Sequence, residues 1–258
     1  MHDERVEVIL NKMFEGEKSL RQIARETNIP FSSVRKIVKK LEKRGIIRRE
    51  HDRYVSIHYI TKMSIISELK EFDEIIAREL EPLLTFCVMK KFQSAVELLK
   101  TSIREYIINS QRIPKILRIL TMRAIESIFS ESPLYSLLIV LLAYFTQRTY
   151  QLIVESIKLT SHIDSMTKER IINKLAGEVE LIQLFNECGD EIDNLAIFSV
   201  EKLAPLLLPR LSEEQSIIFK HISTAFYHIH PIGQNLLKFG PRSLSEKEIE
   251  AIKRALNI

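Results

Sequence analysis

Between Ser32 and Lys43 the chain reads SSVRKIVKKLEK, interleaving Ser32, Ser33, Arg35, Lys36, Lys39, Lys40 and Lys43 with Val34, Ile37, Val38 and Leu41. At about 100° per residue, the four apolar side chains fall within one arc of a helix, while Ser32, Lys36, Lys39 and Lys43 point the opposite way and Arg35 and Lys40 flank them. One face suits a core, and the other suits a polyanion. Ammonium groups neutralise phosphates and release condensed counterions, and short polar or guanidinium side chains near a helix start can hydrogen-bond base edges in a major groove. Arg49 and Arg53 follow at the tip of a short ribbon and extend the same chemistry to an adjacent stretch of backbone.

Two other kinds of chemistry are open to these residue types. His221, His228 and His230 cluster in KHISTAFYHIHP, and neutral imidazoles suit a divalent metal. The spacing matches no ligand signature and no carboxylate partner is close in sequence, so surface or satisfied core histidines are the better assignment and no metal is assigned. Catalysis finds still less support. With glycines only at 16, 45, 177, 189, 233 and 240, neither a Gly-x-Gly-x-x-Gly nor a Walker-type phosphate loop exists in the chain. There is no Gly-x-Ser-x-Gly elbow and no His-Glu-x-x-His. Cys87 and Cys188 stand 101 residues apart without CxxC spacing, which predicts buried free thiols rather than a metal site or a disulfide scaffold. The expectation is a protein that is not an enzyme and needs no cofactor.

The cationic residues need elements to present them, and the flanking sequence supplies the signals. Ser19 with Gln22 has the capping-box form, so a helix is predicted to start near Ser19, with Leu20, Ile23 and Ala24 on its apolar side. Asn28-Ile29-Pro30 interrupts it, because the residue before a proline is pushed out of the helical region. Ser32 or Ser33 is then expected to cap a second helix, and Gly45 sits where a helix end favours a left-handed residue without a Cβ. Ile47-Arg48-Arg49-Glu50 and Arg53-Tyr54-Val55-Ser56-Ile57, joined by His51-Asp52, alternate polar with β-branched or aromatic residues, as a half-buried hairpin requires.

Helix, turn, basic helix and ribbon in this order resemble the winged helix-turn-helix domain of prokaryotic and archaeal transcription regulators. The likeness rests on a small polar pair, Val, Arg, an apolar pair and Leu-Glu-x-x-Gly-apolar-Ile, and covers about a quarter of the chain. It implies that residues 32–44 enter a major groove and that the hairpin tip with Arg49 and Arg53 reaches an adjacent backbone or minor groove. Charge points the same way independently. Residues 1–62 hold 15 Lys and Arg against 9 Asp and Glu, whereas the remaining 196 hold 23 against 25. A positive patch segregated into one segment is the footprint of a phosphate-binding module.

At 258 residues the chain exceeds the usual single domain of about 100–150 residues. We expect a winged domain at 1–62, a linker or dimerisation helix at 63–82 and an all-α bundle at 83–258, giving a mainly α fold. Ile65, Leu69, Phe72, Ile76 and Leu80 recur at spacings of three and four, predicting one amphipathic helix from Lys62 to near Pro82. Helical periodicity returns at 86–110, 113–130, 133–163, 167–187, 189–208, 212–230 and 245–257. Pro114 and Pro133 suit first turns, and Ser212 with Gln215 and Ser245 with Glu248 form capping pairs. Pro205 and Pro209 are expected to break one segment, and Pro231 with Gly233 to end another.

The apolar run Leu134–Phe145 is twelve residues long, short of the roughly 20 that span a bilayer, so it belongs at the centre of a bundle or in a subunit interface and no membrane partner is expected. The N-terminus shows no leader pattern, which predicts a cytoplasmic location. Abundant isoleucine, dense charge and the absence of tryptophan give the composition a thermophile-like cast.

The functional expectation is a DNA-binding transcription regulator, the expected partners being double-stranded DNA, a second copy of the chain and an unidentified small-molecule effector. A small winged domain followed by a large helical one resembles regulators of the GntR type in architecture, although the extended start usual before the first helix of that family is lacking. The alternative expectation is an interaction or scaffold protein in a larger nucleic-acid-processing or defence assembly, without sequence-specific reading. The lysine face counts against it, because a helix that docks on protein carries apolar or mixed residues there.

Overall fold

A computed structural model describes residues 4–109, 127, 129–130, 132–175, 179–211, 230–256 and 258. The chain divides into two compact units, Met1–Lys90 and Lys91–Ile258, each described here by itself.

The first unit opens with α1 (Glu4–Phe14) and α2 (Leu20–Thr27). At the start of α2 the capping box forms as the sequence predicts: Gln22 N donates to Ser19 Oγ at 3.3 Å and Ser19 N to Gln22 Oε1 at 2.8 Å. Two backbone donors that a helix start leaves unpaired are thereby satisfied. Ser19→Ala removes one of these acceptors and is expected to cost about 1 kcal/mol. A fall in the thermal midpoint measures it, and an unchanged midpoint would show the cap to be idle.

Helix α2 ends at Asn28, whose φ of 55° is left-handed. Helix α3 (Phe31–Lys43) follows, with Pro30 as its N-cap and no side-chain cap. The expected serine cap is therefore corrected. The carbonyl of Pro30 already accepts from Ser33 N at 2.9 Å and Val34 N at 3.0 Å, so the helix is under way before Ser32 and Ser33 are reached, and both serines sit in its first turn. At the far end Gly45 takes φ +70°. Gly45 N donates to the Glu42 carbonyl and Ile46 N to the Leu41 carbonyl, each at 3.0 Å, which is the paired bonding of a Schellman stop.

The wing consists of β1 (Ile47–Glu50) and β2 (Arg53–Ser56), antiparallel, with Ile47 opposite Ser56 and Glu50 opposite Arg53. An isolated backbone bridge that the sequence analysis did not find ties this two-stranded ribbon to the chain before α2. Lys18 N donates to the Tyr54 carbonyl at 3.0 Å and Tyr54 N to the Lys18 carbonyl at 2.9 Å. Beneath these elements Ile9 and Met13 of α1, Ile23 of α2, Val34, Val38 and Leu41 of α3 and Ile47 of β1 form one buried cluster. Fully burying each such side chain contributes about 1.5–3 kcal/mol, so the core fixes α3 with one particular side outward.

The expected helix from Lys62 to Pro82 is two helices. Ser56 Oγ accepts from Tyr59 N at 3.1 Å and starts α4 at Ile57, and α4 (Ile57–Lys70) gives way at Asp73 to α5 (Glu74–Leu80). The Asp73 carboxylate accepts from Ile75 N and Ile76 N, each at 2.9 Å. That local capping competes with continued helix and sets the break. Ile65, Leu69 and Leu80 are buried as an amphipathic face requires.

Helix α6 (Phe86–Asn109) leads into the second unit, whose described elements are all helical. Its centre is α7 (Pro133–Leu159), capped by Ser132 and carrying Pro133 in its first turn as expected. Alone among the described helices, α7 is long and apolar enough to cross a membrane, but most of its apolar window is buried in the protein. A helix apolar on nearly every side in that setting is a core helix. Around it lie α8 (Ser165–Leu175), α9 (Glu180–Phe185), α10 (Asp190–Phe198), a helix over 230–239 and α11 (Glu246–Leu256). The capping pair Ser245 and Glu248 starts α11, with Arg242 bound to the Glu248 carboxylate. That guanidinium holds the carboxyl down at about 2.

Three further expectations are corrected. Pro205 does not break its segment: α10 widens into a π turn at Ser199–Leu203 and continues as helix through Ala204–Leu207, the wider turn accommodating the missing proline N–H. Pro231 and Gly233 lie within helix. Gly233 serves close packing there, since a Cβ on it would meet Thr149 Oγ1 at 2.4 Å. Neither Cys87 nor Cys188 is a free thiol; separation along a chain carries no information about the state of a sulfur. The expected segments 113–130 and 212–230 lie almost wholly outside the described residues.

Candidate nucleic-acid interface

The core beneath α3 decides which of its side chains face solvent. Val34, Val38 and Leu41 are buried, while Ser32, Arg35, Lys36, Lys39, Lys40 and Lys43 are all exposed and Ser33 is half-buried. The structure therefore brings the proposed cations together on one outward surface. Among the described residues none of Arg35, Lys36, Lys39, Lys40 and Lys43 has an ion-pair partner. The acidic residue on this helix, Glu42, stands on the edge of the apolar face and is half-buried. Five uncompensated positive charges on three and a half turns of helix create a local field that attracts a polyanion.

The wing carries two of the sequence-selected residues, and they differ. Arg49 Nε donates to the His51 carbonyl at 2.9 Å, its guanidinium lies 3.7 Å from Asp52 Oδ1, and it sits 5.9 Å from the centre of the Tyr54 ring. Arg49 thus braces the turn. Arg53 is exposed with no ion-pair partner among the described residues and is the better placed to reach outward. Beside β2, Lys18 binds Glu26 at 2.9 Å and Glu15 at 3.2 Å. The Glu26 carboxylate beside it pushes the Lys18 ammonium above its ordinary value, and a cation so engaged belongs to the scaffold. Arg44 and Arg48 are exposed beside α3 and on β1. Sequence reasoning passed over both, although the charge count of the segment includes them.

Residues 10–63 match the family model described as sugar-specific transcriptional regulator TrmB. No curated protein and no solved structure matches the chain. The matched segment runs from the end of α1 through α2, α3 and the wing into α4, so the TrmB-type winged domain carries every sequence-selected cation. Its helices and hairpin confirm the winged helix-turn-helix read from the sequence, and TrmB rather than the GntR type is the family that the segment matches. The remainder of the chain lies beyond the TrmB match.

The histidine cluster does not add a second site. His221 and His228 lie outside the described residues, and His230 is half-buried on the helix over 230–239. Among the described residues no group of three or more His, Cys, Asp or Glu is placed to hold a metal ion.

Proposed function

We propose that the protein is a cytoplasmic, homodimeric transcription regulator that lays α3 into the major groove of double-stranded DNA and sets its wing against the neighbouring backbone, without catalysing a reaction. The observation that carries this reading is the outward cationic face of α3, unpaired among the described residues and lying opposite a buried apolar side. The TrmB match over the same residues supports it. In this reading Lys36, Lys39, Lys40 and Lys43 neutralise phosphates, Arg53 extends the contact from the wing, and Ser32, Ser33, Arg35 and Lys36 near the leading end of α3 meet base edges. The helical unit supplies dimerisation and the effector site.

Selection of bound sites from random duplexes tests the proposal. A palindrome with half-sites about 10 bp or a multiple apart is the expected product. No enriched motif would instead favour a scaffold that does not read sequence. Two single substitutions separate the assigned roles. Lys39→Ala is expected to weaken binding about equally on specific and random duplexes and to reduce the slope of log affinity on log salt by about 1 for each bound protomer. Arg35→Ala is expected to cost about 1–3 kcal/mol on the selected site and to relax preference at one base pair. Equal losses on specific and random DNA would remove Arg35 from base reading.

A further inference from the structure

The first residue of α3 does not fit a purely cationic face. Phe31 is 46% exposed, one of few large apolar side chains among the described residues left so open. It stands at the leading end of the helix, next to exposed Ser32 and one turn before exposed Arg35. The preceding Pro30 is also exposed and extended, with ψ 135°. Among the described residues Phe31 is not part of the core cluster of the first unit, into which Ala24, Ile29 and Val34, close by in sequence, pack without it.

If α3 enters a groove, its leading residues come nearest the bases, and an aromatic ring there has a particular partner available. Of the four bases only thymine places a methyl group in the major groove, and apolar side chains recognise thymine through that group. A phenyl ring can make no hydrogen bond to the neighbouring donors and acceptors, so it discriminates by burying the methyl and by leaving the polar edges of other bases unsatisfied. Resting on the function proposed above, we infer that Phe31 is a specificity-determining residue that reads the C5 methyl of a thymine at one position of the bound site, beside the base pair met by Arg35.

The test removes only the methyl group. In the site selected from random duplexes each thymine is replaced in turn by uracil, which keeps every hydrogen-bonding group, and the affinity of the full-length protein is measured at fixed salt. One position is expected to bind about four-fold more weakly, the effect of exposing one buried methyl-sized group. Phe31→Ala is expected to bind the thymine and uracil duplexes equally at that position, and Phe31→Leu to retain part of the difference. Because Phe31 is largely exposed, both variants should keep the wild-type thermal midpoint, which is measured alongside. Sequence-specific binding that is indifferent to every uracil replacement would overturn the inference while leaving the proposed function standing. The same holds if Phe31→Ala keeps the wild-type difference. Failure to bind any duplex would remove both.

Discussion

Replacing Lys36, Lys39, Lys40 and Lys43 together by glutamine is expected to lower DNA affinity by about 10³ near 0.1 M salt and to reduce the slope of log affinity on log salt by roughly 3 to 4 for each bound protomer. Each lysine that neutralises one phosphate contributes about 0.9 to that slope, so the four contributions sum if all four lie along the backbone. The variant should fold normally. All four side chains are exposed, none forms an ion pair with a described residue, and glutamine is nearly as good a helix former as lysine. Titrations at several salt concentrations, with a thermal melt as control, separate lost contact from lost structure. An unchanged slope in a folded variant would show that α3 does not meet phosphates at all.

The second large effect is expected in the helical unit. Gly233→Val should destabilise the protein by about 3 kcal/mol, the upper part of the range for overpacking a close-packed interior. A Cβ at this position would stand 2.4 Å from Thr149 Oγ1, 2.8 Å from Thr149 Cγ2 and 3.0 Å from the Phe145 ring. Thr149 and Phe145 are both buried on α7, and a short β-branched side chain has little freedom to swing aside. Thr149→Ala in the same chain removes two of the three obstructing atoms and should recover much of the loss. It also deletes a buried hydroxyl that has no hydrogen-bond partner among the described residues. Denaturant unfolding of the two single variants and the double variant measures the coupling, and purely additive losses would show that the two residues do not press on one another.

What could be read without coordinates was what neighbouring residues encode. The Ser19–Gln22 cap, the left-handed stop at Gly45 and the cationic arc of α3 each depend on a few contiguous side chains, and all three took the form that their spacing predicts. The wing was legible from β-branched and aromatic residues flanking a turn, although buried and exposed positions do not alternate strictly along either strand. Contacts between distant residues were not. The bridge at Lys18 is a single residue paired with Tyr54, too short to leave any pattern. Gly233 looked like a helix terminator because its close neighbour, Thr149, is 84 residues away. The serine cap was misplaced for a subtler reason: Pro30 supplies the first helical acceptor from its backbone, and side-chain preferences cannot show that. In the candidate interface, the exposure of α3 followed from periodicity alone, whereas the bracing of Arg49 by His51 and Asp52 required the turn itself.

The pairing of Lys18 with Tyr54 has an engineering corollary. Two strands alone are marginal in water, but the backbone bridge to Lys18 ties β2 down at Tyr54, one residue from the turn, so the ribbon does not rest on its own pairing alone. His51 and Asp52 are exposed at that tip. A few inserted glycines and serines there would lengthen the wing like the blade of an oar while its rowlock stays in place. The length of the tip and the folding of the wing are thus separately adjustable properties of this chain.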